Sequence, residues 1–428
     1  MKALFALTDI RAEARVPGGR HSPWAVSPPS RLAAVATRRN GLRARNRRVP
    51  RRGTRVDHHG GDRTDIGLDA HKRECQATWI DREGKVQREE RFPTTPSRLR
   101  AFAASMGPED RIVVEASSTG RLVYKLMRDG GVDVRLANPA GIALIARSKV
   151  KTDARDAEVL AQLLRTGYLP EAYVPPDDVQ EIRDVVRFRV GLTWKLVAAK
   201  NQVQALLMWN GVEKREADIF GKAGLEALAG VELPPHHRAL MDLRLQEVLL
   251  LAGQIERMEE TMAGLGEARG DIRRLMTLPG VSFYAALAVV GEVGDFRRFP
   301  TAKHLASWAG LAPSVRQSGD RARTGHITKK GSPLLRWILG VCATAAVKMP
   351  TPFRRFYLHL KGKGHGVAVT AVARKMLCTM WSMIVHGRDY DHAIEGNVRR
   401  KATEMRRKAR KGPASDIAAT RPASPTPS

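Results

Sequence analysis

The sequence predicts an α/β domain, followed by a long helical spacer and an all-α C-terminal domain. Three short strand-like segments between Thr64 and Phe92 precede alternating helical and strand-like segments. This order is typical of a mixed sheet with helices packed on it. Two helical patterns within residues 179–270 are longer than ordinary globular helices and contain few breakers. From residue 271 onward the apolar spacing remains helical.

The 428 residues divide into five segments by composition and periodicity. They are an extension (1–61), the sheet domain (62–178), the helical or coiled-coil spacer (179–270), the C-terminal domain (271–387) and a tail (388–428). The extension and the tail are basic and rich in polar or low-complexity sequence, so both are expected to be disordered. The extension is either a nucleic-acid arm or a translated upstream stretch with the natural start nearer Val56.

The chain is strongly basic, with 73 Lys and Arg against 44 Asp and Glu, a formal charge of +29. Residues 1–60 contribute +11 and residues 387–428 contribute +5, which leaves +13 for the middle of the chain. Because the part expected to fold is itself basic, the sequence predicts a polyanionic partner. Nucleic acid is favoured over a membrane surface.

Membrane insertion and disulfide bonding are not expected. No apolar run approaches the roughly 20 residues that span a bilayer. The apolar core of the opening "MKALFALTDI" is too short for a signal peptide, and Asp9 interrupts it. The three cysteines, Cys75, Cys342 and Cys378, are far apart and resemble small core residues of a reduced cytosolic protein.

Four acids lie where strands end or helices begin in the first domain. Asp69 follows the apolar "IGL", Glu115 follows "IVV", and Asp153 and Asp156 open a helix. The two aspartates extend backwards the apolar stripe of that helix. The stripe consists of Ala157, Leu160, Leu163 and Leu164. Carboxylates in line with a core-facing stripe are costly unless a positive group meets them.

Each acid also has an ordinary interpretation. Acids in a first helical turn favour the helix dipole and contact water, Asp69 could cap a turn, and Glu115 could pair with Arg121. Their joint placement favours a metal site at one sheet edge, because four converging carboxylates repel unless they hold hard divalent cations. Mg²⁺ is the usual choice and Mn²⁺ the alternative. Two such ions assist phosphoryl transfer.

Two features stand out in the second half of the chain. Residues 275–299 are typical of a helix, a Pro-Gly-Val turn and a second helix, either an ordinary helical hairpin or a helix-hairpin-helix that binds a backbone phosphate at Gly280. A loop follows with Ser318 among basic residues and ends at the predicted helix cap Ser332. Its cations are Arg316, Arg321, Arg323, Lys329 and Lys330. Ser318 suits a turn, yet cations and glycine are also what a nucleophile attacking phosphate needs.

The motifs "IGLDAHK", "VVEASSTG", "KTDARDA", "LPGV", "GEVGDFRRF", "RQSG" and "KKGSPLLRW" occur in this order over roughly residues 64–387. Together they resemble the transposases of the IS110 / IS1111 insertion-sequence family. The resemblance implies an RNase H-like (RuvC-like) first domain whose metal-binding, catalytic Asp-Glu-Asp-Asp set is Asp69, Glu115, Asp153 and Asp156. It also implies that Ser318 forms a phosphoserine link to DNA.

The resemblance further implies a bacterial, cytoplasmic and nucleoid-associated recombinase that excises and inserts its own element. Its expected partners are double-stranded DNA (the element ends and the target), an element-encoded guide RNA, and further copies of the chain in a dimer or tetramer. The extension has no place in the family pattern, and "PGVS" stands where a second glycine is commoner. Two alternatives stay open: a metal-dependent junction-resolving nuclease, and a non-catalytic nucleic-acid binding protein.

Overall fold

The computed structural model of the protein describes residues 63–145, 152–213, 218–318 and 321–412. The chain forms two compact units, the first ending at Val174 and the second beginning at Pro175. A mixed α/β unit is thus followed by a helical region, as the sequence predicts. The predicted extension over 1–61 lies outside the described residues.

The described part of the first unit consists of a five-stranded sheet and four helices. The strands are β1 (Asp65–Ala70), β2 (Glu74–Ile80), β3 (Val86–Pro93), β4 (Arg111–Glu115) and β5 (Asp133–Ala137). The helices are α1 (Pro96–Ala104), α2 (Ser118–Asp129), α3 (Pro139–Ile145) and α4 (Asp153–Arg165). The strand order is β3-β2-β1-β4-β5. The first two pairings are antiparallel, and those of β1 with β4 and β4 with β5 are parallel.

Alternation along the strands divides the side chains between two faces. On one face Ile66, Leu68, Ile112 and Val114 join the main core of the unit, which α1 and α2 cover. The opposite face is narrower and packs Val113 and β5 against α4. The predicted stripe of α4 is confirmed, since Ala157, Leu160, Leu163 and Leu164 are all buried.

The second unit is mostly helical. Its helices are α5 (Asp177–Trp209), α6 (Lys222–Ala229), α7 (Pro235–Glu267), α8 (Gly270–Met276), α9 (Phe283–Val293), α10 (Ala302–Trp308), α11 (Pro333–Ala346), α12 (Pro352–Leu360), α13 (His365–Val385) and α14 (Glu395–Ala409). The long helices α5 and α7 pack along each other around Leu196, Val203 and Met241. At the other end, α5 and α7 join a larger core built with α8 to α14.

The prediction of an all-α C-terminal domain is wrong in one place. Residues 313–327 contain an antiparallel hairpin of β6 (Pro313–Ser318) and β7 (Arg321–Ile327). Its strands carry Arg, Ser, Gln and Thr in place of an alternating apolar face, so the sequence resembled a polar loop. Backbone pairing defines these strands where apolar periodicity does not.

The predicted disorder of the tail over 388–428 is also wrong where the structure describes it. Residues 395–409 form helix α14, with Met405 and Ala409 in the core. The high charge of "VRRKATEMRRKARK" obscured a narrow buried stripe that includes Lys408, whose ammonium pairs with Glu259. Long lysine stems bury apolar surface while the amine keeps a polar partner. Residues 413–428 lie outside the described part.

By length and composition alone, helix α13 is long and apolar enough to cross a membrane, although the sequence was predicted to contain no membrane-spanning run. Eight of its 21 residues are buried, including Val372, Met376 and Met380. A core helix of a globular unit passes the same test, and α13 packs against α10, α11 and α12 in this way. The three cysteines form no disulfide bond within the described residues, and Cys75 and Cys342 are buried.

Candidate active site

Asp69 and Glu115 come from neighbouring strand ends. Parallel pairing of β1 with β4 places Leu68 beside Val114, so the next residue on each strand is Asp69 and Glu115. Both lie on the sheet face that α4 covers, because side chains alternate along a strand. The structure describes no ion pair for Glu115, so the predicted alternative of pairing with Arg121 is not formed within the described residues.

A glycine lets helix α4 approach this sheet face. A Cβ atom built on Gly67 would lie 1.8 Å from the carbonyl oxygen of Ala157 and 2.7 Å from the amide nitrogen of Ala161. Only a residue without a side chain allows this backbone-to-backbone contact. Asp69 lies two residues beyond Gly67 on the same face, so the contact brings the first turn of α4 to Asp69.

The start of α4 is itself fixed by local contacts. The Thr152 hydroxyl caps the helix by accepting a hydrogen bond from the Arg155 amide at 3.3 Å. Buried Thr78 on β2 donates its hydroxyl to the Ala154 carbonyl at 3.5 Å. These contacts hold Asp153 in the first helical position and Asp156 one turn later, where both favour the helix dipole.

His71 joins the acids, and sequence reasoning did not single it out. Its Nε2 lies 3.1 Å from Oδ2 of Asp69 and 3.5 Å from Oδ1 of Asp153. Arg91 on β3 approaches Asp153 at 3.9 Å and pairs with Glu74 at 2.5 Å. The one available signal was the position of His71, two residues after Asp69 in "IGLDAHK".

The electrostatics of Asp69 reflect this crowding. The residue is only 9% exposed. Burial raises the pKa of its carboxyl group; His71 opposes the rise, and the nearby carboxylates of Asp153 and Asp156 add to it. Like charges held together in a partly desolvated place are unfavourable without a cation. The cluster therefore gains most from an ion that neutralises it.

The donor set suits a metal ion. Single ligand atoms of Asp69, His71 and Asp153 lie within 4.8 Å of one another. Two carboxylates are ligands that Mg²⁺ and Mn²⁺ accept, and the imidazole favours the softer ion of the two. Asp156 contributes charge from one turn further along α4, and Glu115 lies on the adjacent strand. Within the described residues the structure thus brings Asp69 and Asp153 together with His71, whereas Glu115 and Asp156 are not among the residues whose ligand atoms converge.

Ser318, the predicted nucleophile, is the last residue of β6, and its backbone pairs with Arg321 on β7. The same register sets Arg316 opposite Arg323. The predicted loop is therefore a hairpin whose strands carry cations at opposed positions.

Lys329 and Lys330 follow the hairpin and are exposed. The Lys329 backbone is left-handed, with φ of 55°, and its amide donates to the Gly310 carbonyl at 3.1 Å. Buried Arg336 donates to the Lys330 carbonyl at 2.7 Å. The predicted cap is confirmed, since the Ser332 hydroxyl accepts from the Leu335 amide at 3.1 Å. The backbone that carries both lysines is therefore held from several sides.

The predicted Pro-Gly-Val turn joins α8 to α9. Gly280 adopts φ of 78°, and a Cβ there would lie 2.3 Å from the Cys342 carbonyl oxygen of α11. Ser282 caps α9 by accepting from the Ala285 amide at 3.2 Å. The glycine thus serves both the turn conformation and the close packing of the turn on α11.

Comparisons with known proteins match this chain to transposases. A model described as "Transposase IS116/IS110/IS902 family" matches residues 272–358, and a DEDD transposase model of the IS110 type matches residues 66–209. A probable family 20 transposase of Pseudomonas aeruginosa is 28% identical over 331 residues, which cover 74% of this chain and 96% of that protein. The transposase for IS1111A of Coxiella burnetii is 25% identical over 333 residues, which cover 76% and 90%.

Both family models and the relatives are named for insertion sequences or their transposases, and the matches follow the order of the chain. The chain belongs to the IS116/IS110/IS902 family of insertion-sequence transposases, enzymes that catalyse DNA strand transfer.

Proposed function

We propose that this transposase cleaves and rejoins DNA with a metal-binding Asp-Glu-Asp-Asp set and a serine nucleophile. The observation that carries the proposal is the convergence of ligand atoms from Asp69, His71 and Asp153 within 4.8 Å. The strand order, with antiparallel β1–β3 followed by parallel β4 and β5, supports an RNase H-like (RuvC-like) domain. In such a sheet, acids at adjacent strand ends share one edge.

The carboxylates of Asp69, Glu115, Asp153 and Asp156 would hold the metal, Mg²⁺ or Mn²⁺, with His71 as a further donor. A bound divalent ion supplies charge stabilisation at the phosphate and lowers the pKa of an oxygen nucleophile. The chain's own contribution is placement: Gly67 lets α4 approach β1, and Thr152 fixes the helix start. These contacts keep the acids together before DNA arrives, so little reorganisation is needed during the reaction.

Ser318 is the proposed nucleophile. Its Oγ attacks a DNA phosphorus and loses its proton, a new P–Oγ bond forms, and the bond from phosphorus to the leaving sugar oxygen breaks. That oxygen takes up a proton, and the DNA phosphate remains linked to the serine. One phosphate ester replaces another, so the link can be reversed by a sugar hydroxyl of a second strand without ATP.

The proposed nucleic-acid contacts are basic groups around the serine and the turn at Gly280, which we interpret as helix-hairpin-helix-like. The basic groups are Arg316, Arg321, Arg323, Lys329 and Lys330. The hairpin register pairs the backbones of Arg316 and Arg323, which supports a concentration of basic residues along this hairpin. Fixed backbones at Lys329 and Lys330 present charge without a large ordering cost.

A homo-oligomer, dimer or tetramer, is proposed to form through the helical spacer. Helices α5 and α7 leave large apolar side chains exposed along their length. Examples are Trp194, Val197 and Met208 on α5 and Leu243 and Leu250 on α7. These residues recur at helical spacing, which is typical of a coiled-coil or bundle contact with another protomer.

The element-encoded RNA remains a proposal from the family resemblance, supported only by the strongly basic chain. Base pairing would then choose the sequence while the protein holds backbones. From the same resemblance we propose that the reaction takes place in the bacterial cytoplasm on nucleoid DNA.

A covalent-trapping experiment tests the serine. The protein is incubated with end-labelled element DNA and Mg²⁺, denatured, and resolved for protein–DNA adducts. We expect adducts with the wild type and with the control Ser314→Ala, a serine earlier on β6, and none with Ser318→Ala. An adduct that persists in Ser318→Ala removes the nucleophile assignment. Cleavage without adduct in that variant favours the junction-resolving nuclease, in which the metal site acts alone.

A further inference from the structure

The turn between α8 and α9 is held by a lysine from the C-terminal helix. Nζ of Lys401 on α14 donates to the carbonyl oxygens of Leu278 at 3.1 Å and Val281 at 2.8 Å, and also to that of Met276. An ammonium group has three N–H donors, so one side chain satisfies all three carbonyls. Lys401 therefore links helix α14 to the turn by hydrogen bonds.

This arrangement places a cation against the turn. Burial lowers the pKa of Lys401 to about 8, so the ammonium form still predominates near neutral pH. The ammonium group offsets the partial negative charge of the three carbonyl oxygens that it binds, which reduces the negative potential that an anion approaching the turn would meet.

In front of the turn lies a cleft of about 410 Å³. Gly280 and Ser282 line it from the turn, Lys348 from α11, and Arg400 and Glu404 from α14. Lys401 also lines the cleft, so three cations face one acid. A cationic cleft beside a glycine turn matches the charge and the close backbone approach of a phosphate group.

We propose that α14 completes a binding cleft for a nucleic-acid backbone phosphate at the Gly280 turn, with Arg400 and Lys348 as contact residues and Lys401 as the positioning residue. This inference rests on the proposed nucleic-acid contact at Gly280 and extends it. The two family models match residues 66–209 and 272–358, so neither reaches α14.

The contact role is tested with two adjacent arginines. Arg400 lines the cleft, whereas Arg399 pairs with Glu395 at 3.2 Å and has 83% of its side chain exposed. Arg400→Gln and Arg399→Gln remove the same charge from the same helix. Anisotropy titrations without divalent cations measure affinity for a labelled DNA duplex and a labelled RNA duplex over a range of KCl concentrations.

We expect Arg400→Gln to weaken binding about fivefold near physiological salt and to reduce the slope of log K against log salt by about one, the loss of one phosphate contact. Arg399→Gln should match the wild type. If affinity falls for only one of the two duplexes, the cleft binds that nucleic acid. If affinity falls for both, the cleft binds the phosphate backbone that DNA and RNA share. Equal effects of the two substitutions, or none from Arg400→Gln, overturn the proposal.

Lys401 is tested by Lys401→Met and by the conservative Lys401→Arg. The methionine leaves three carbonyls without a donor, and we expect the salt slope to fall as in Arg400→Gln. Arginine keeps charge and donors, so it should restore at least part of the slope. An unfolded methionine variant leaves the Arg400 comparison decisive. The titrations contain no divalent cation and measure binding alone. A negative result in them can therefore be distinguished from a negative result in the Ser318 adduct assay.

Discussion

Two charged clusters in the molecule are built in opposite ways. In the second unit, the carboxylate of Glu259 forms one ion pair with Arg189 at 2.5 Å and another with the ammonium group of Lys408, and both cations are buried. Burial alone would raise the pKa of Glu259, but these two charges hold it below its usual range. In the first unit, Asp69 lies among carboxylates, and its pKa is raised.

The contrast separates structural charge from functional charge. A buried carboxylate with two cations is neutralised within the protein and has no use for a ligand. Carboxylates that crowd one another, with His71 and Arg91 as their basic neighbours in the described part of the chain, cost stability in the free protein, and a cation supplied from outside recovers it. Substitutions in the two clusters should therefore affect different measurements.

The largest expected effect is on catalysis at Asp69. Asp69→Asn keeps the shape of the side chain but removes a charged metal ligand. We expect strand cleavage to fall at least about a thousandfold, roughly 4 kcal/mol of transition-state stabilisation. The free energy of unfolding without metal should not fall, because carboxylate repulsion is relieved. Cleavage assays measure the rate and urea denaturation measures the free energy of unfolding, with the exposed Asp129→Asn as the control variant. A destabilised Asp69→Asn protein would contradict the functional interpretation of this cluster.

The next effect is on stability at Glu259. Glu259→Gln leaves Arg189 and Lys408 without their carboxylate, and we expect a loss of about 3 kcal/mol in the free energy of unfolding. Partly exposed Glu256→Gln, three residues earlier on α7, should change it by less than about 0.5 kcal/mol. Urea denaturation at neutral pH compares both variants with the wild type, and similar small losses would show that the buried triad is not structural.

The pH dependence of the same group has a defined sign. The pKa of Glu259 in the folded protein lies below its ordinary value of 4.5, so the unfolded chain binds the proton more readily. Its contribution is complete above about pH 4.5 and is lost as pH falls through the folded pKa. Acid titration of unfolding should show this loss in the wild type and not in Glu259→Gln, which has no carboxylate to protonate.

Of the two clusters, only the acidic one in the first unit was largely predictable from the sequence. Four acids stood out because each follows a strand-like segment or extends the apolar stripe of a helix. They are Asp69, Glu115, Asp153 and Asp156. His71 did not, because a lone histidine after a strand carries no periodic signal. Its role depends on the distance from Asp153, 82 positions later in the chain.

The structural cluster was hidden for a different reason. Arg189, Glu259 and Lys408 lie in three separate helices, and no spacing rule connects them. Helix α14 looked disordered because its charges outnumber its buried residues, and burial of Lys401 and Lys408 depends on partners in the α8–α9 turn and in α7. Composition counts charges, whereas stability depends on whether each charge meets a partner.

The smallest expected effect concerns how the acids are brought together. Gly67→Ala places a methyl group 1.8 Å from the Ala157 carbonyl oxygen, so α4 must move away from β1. We expect a loss of about 2 kcal/mol in stability and weaker Mn²⁺ binding, measured by calorimetry, because Asp153 and Asp156 move with the helix. Gly191→Ala is the control: its Cβ in helix α5 meets nothing within 4 Å. There alanine should stabilise by up to about 1 kcal/mol. If Gly67→Ala binds Mn²⁺ as the wild type does, the approach of α4 to β1 is not what assembles the site.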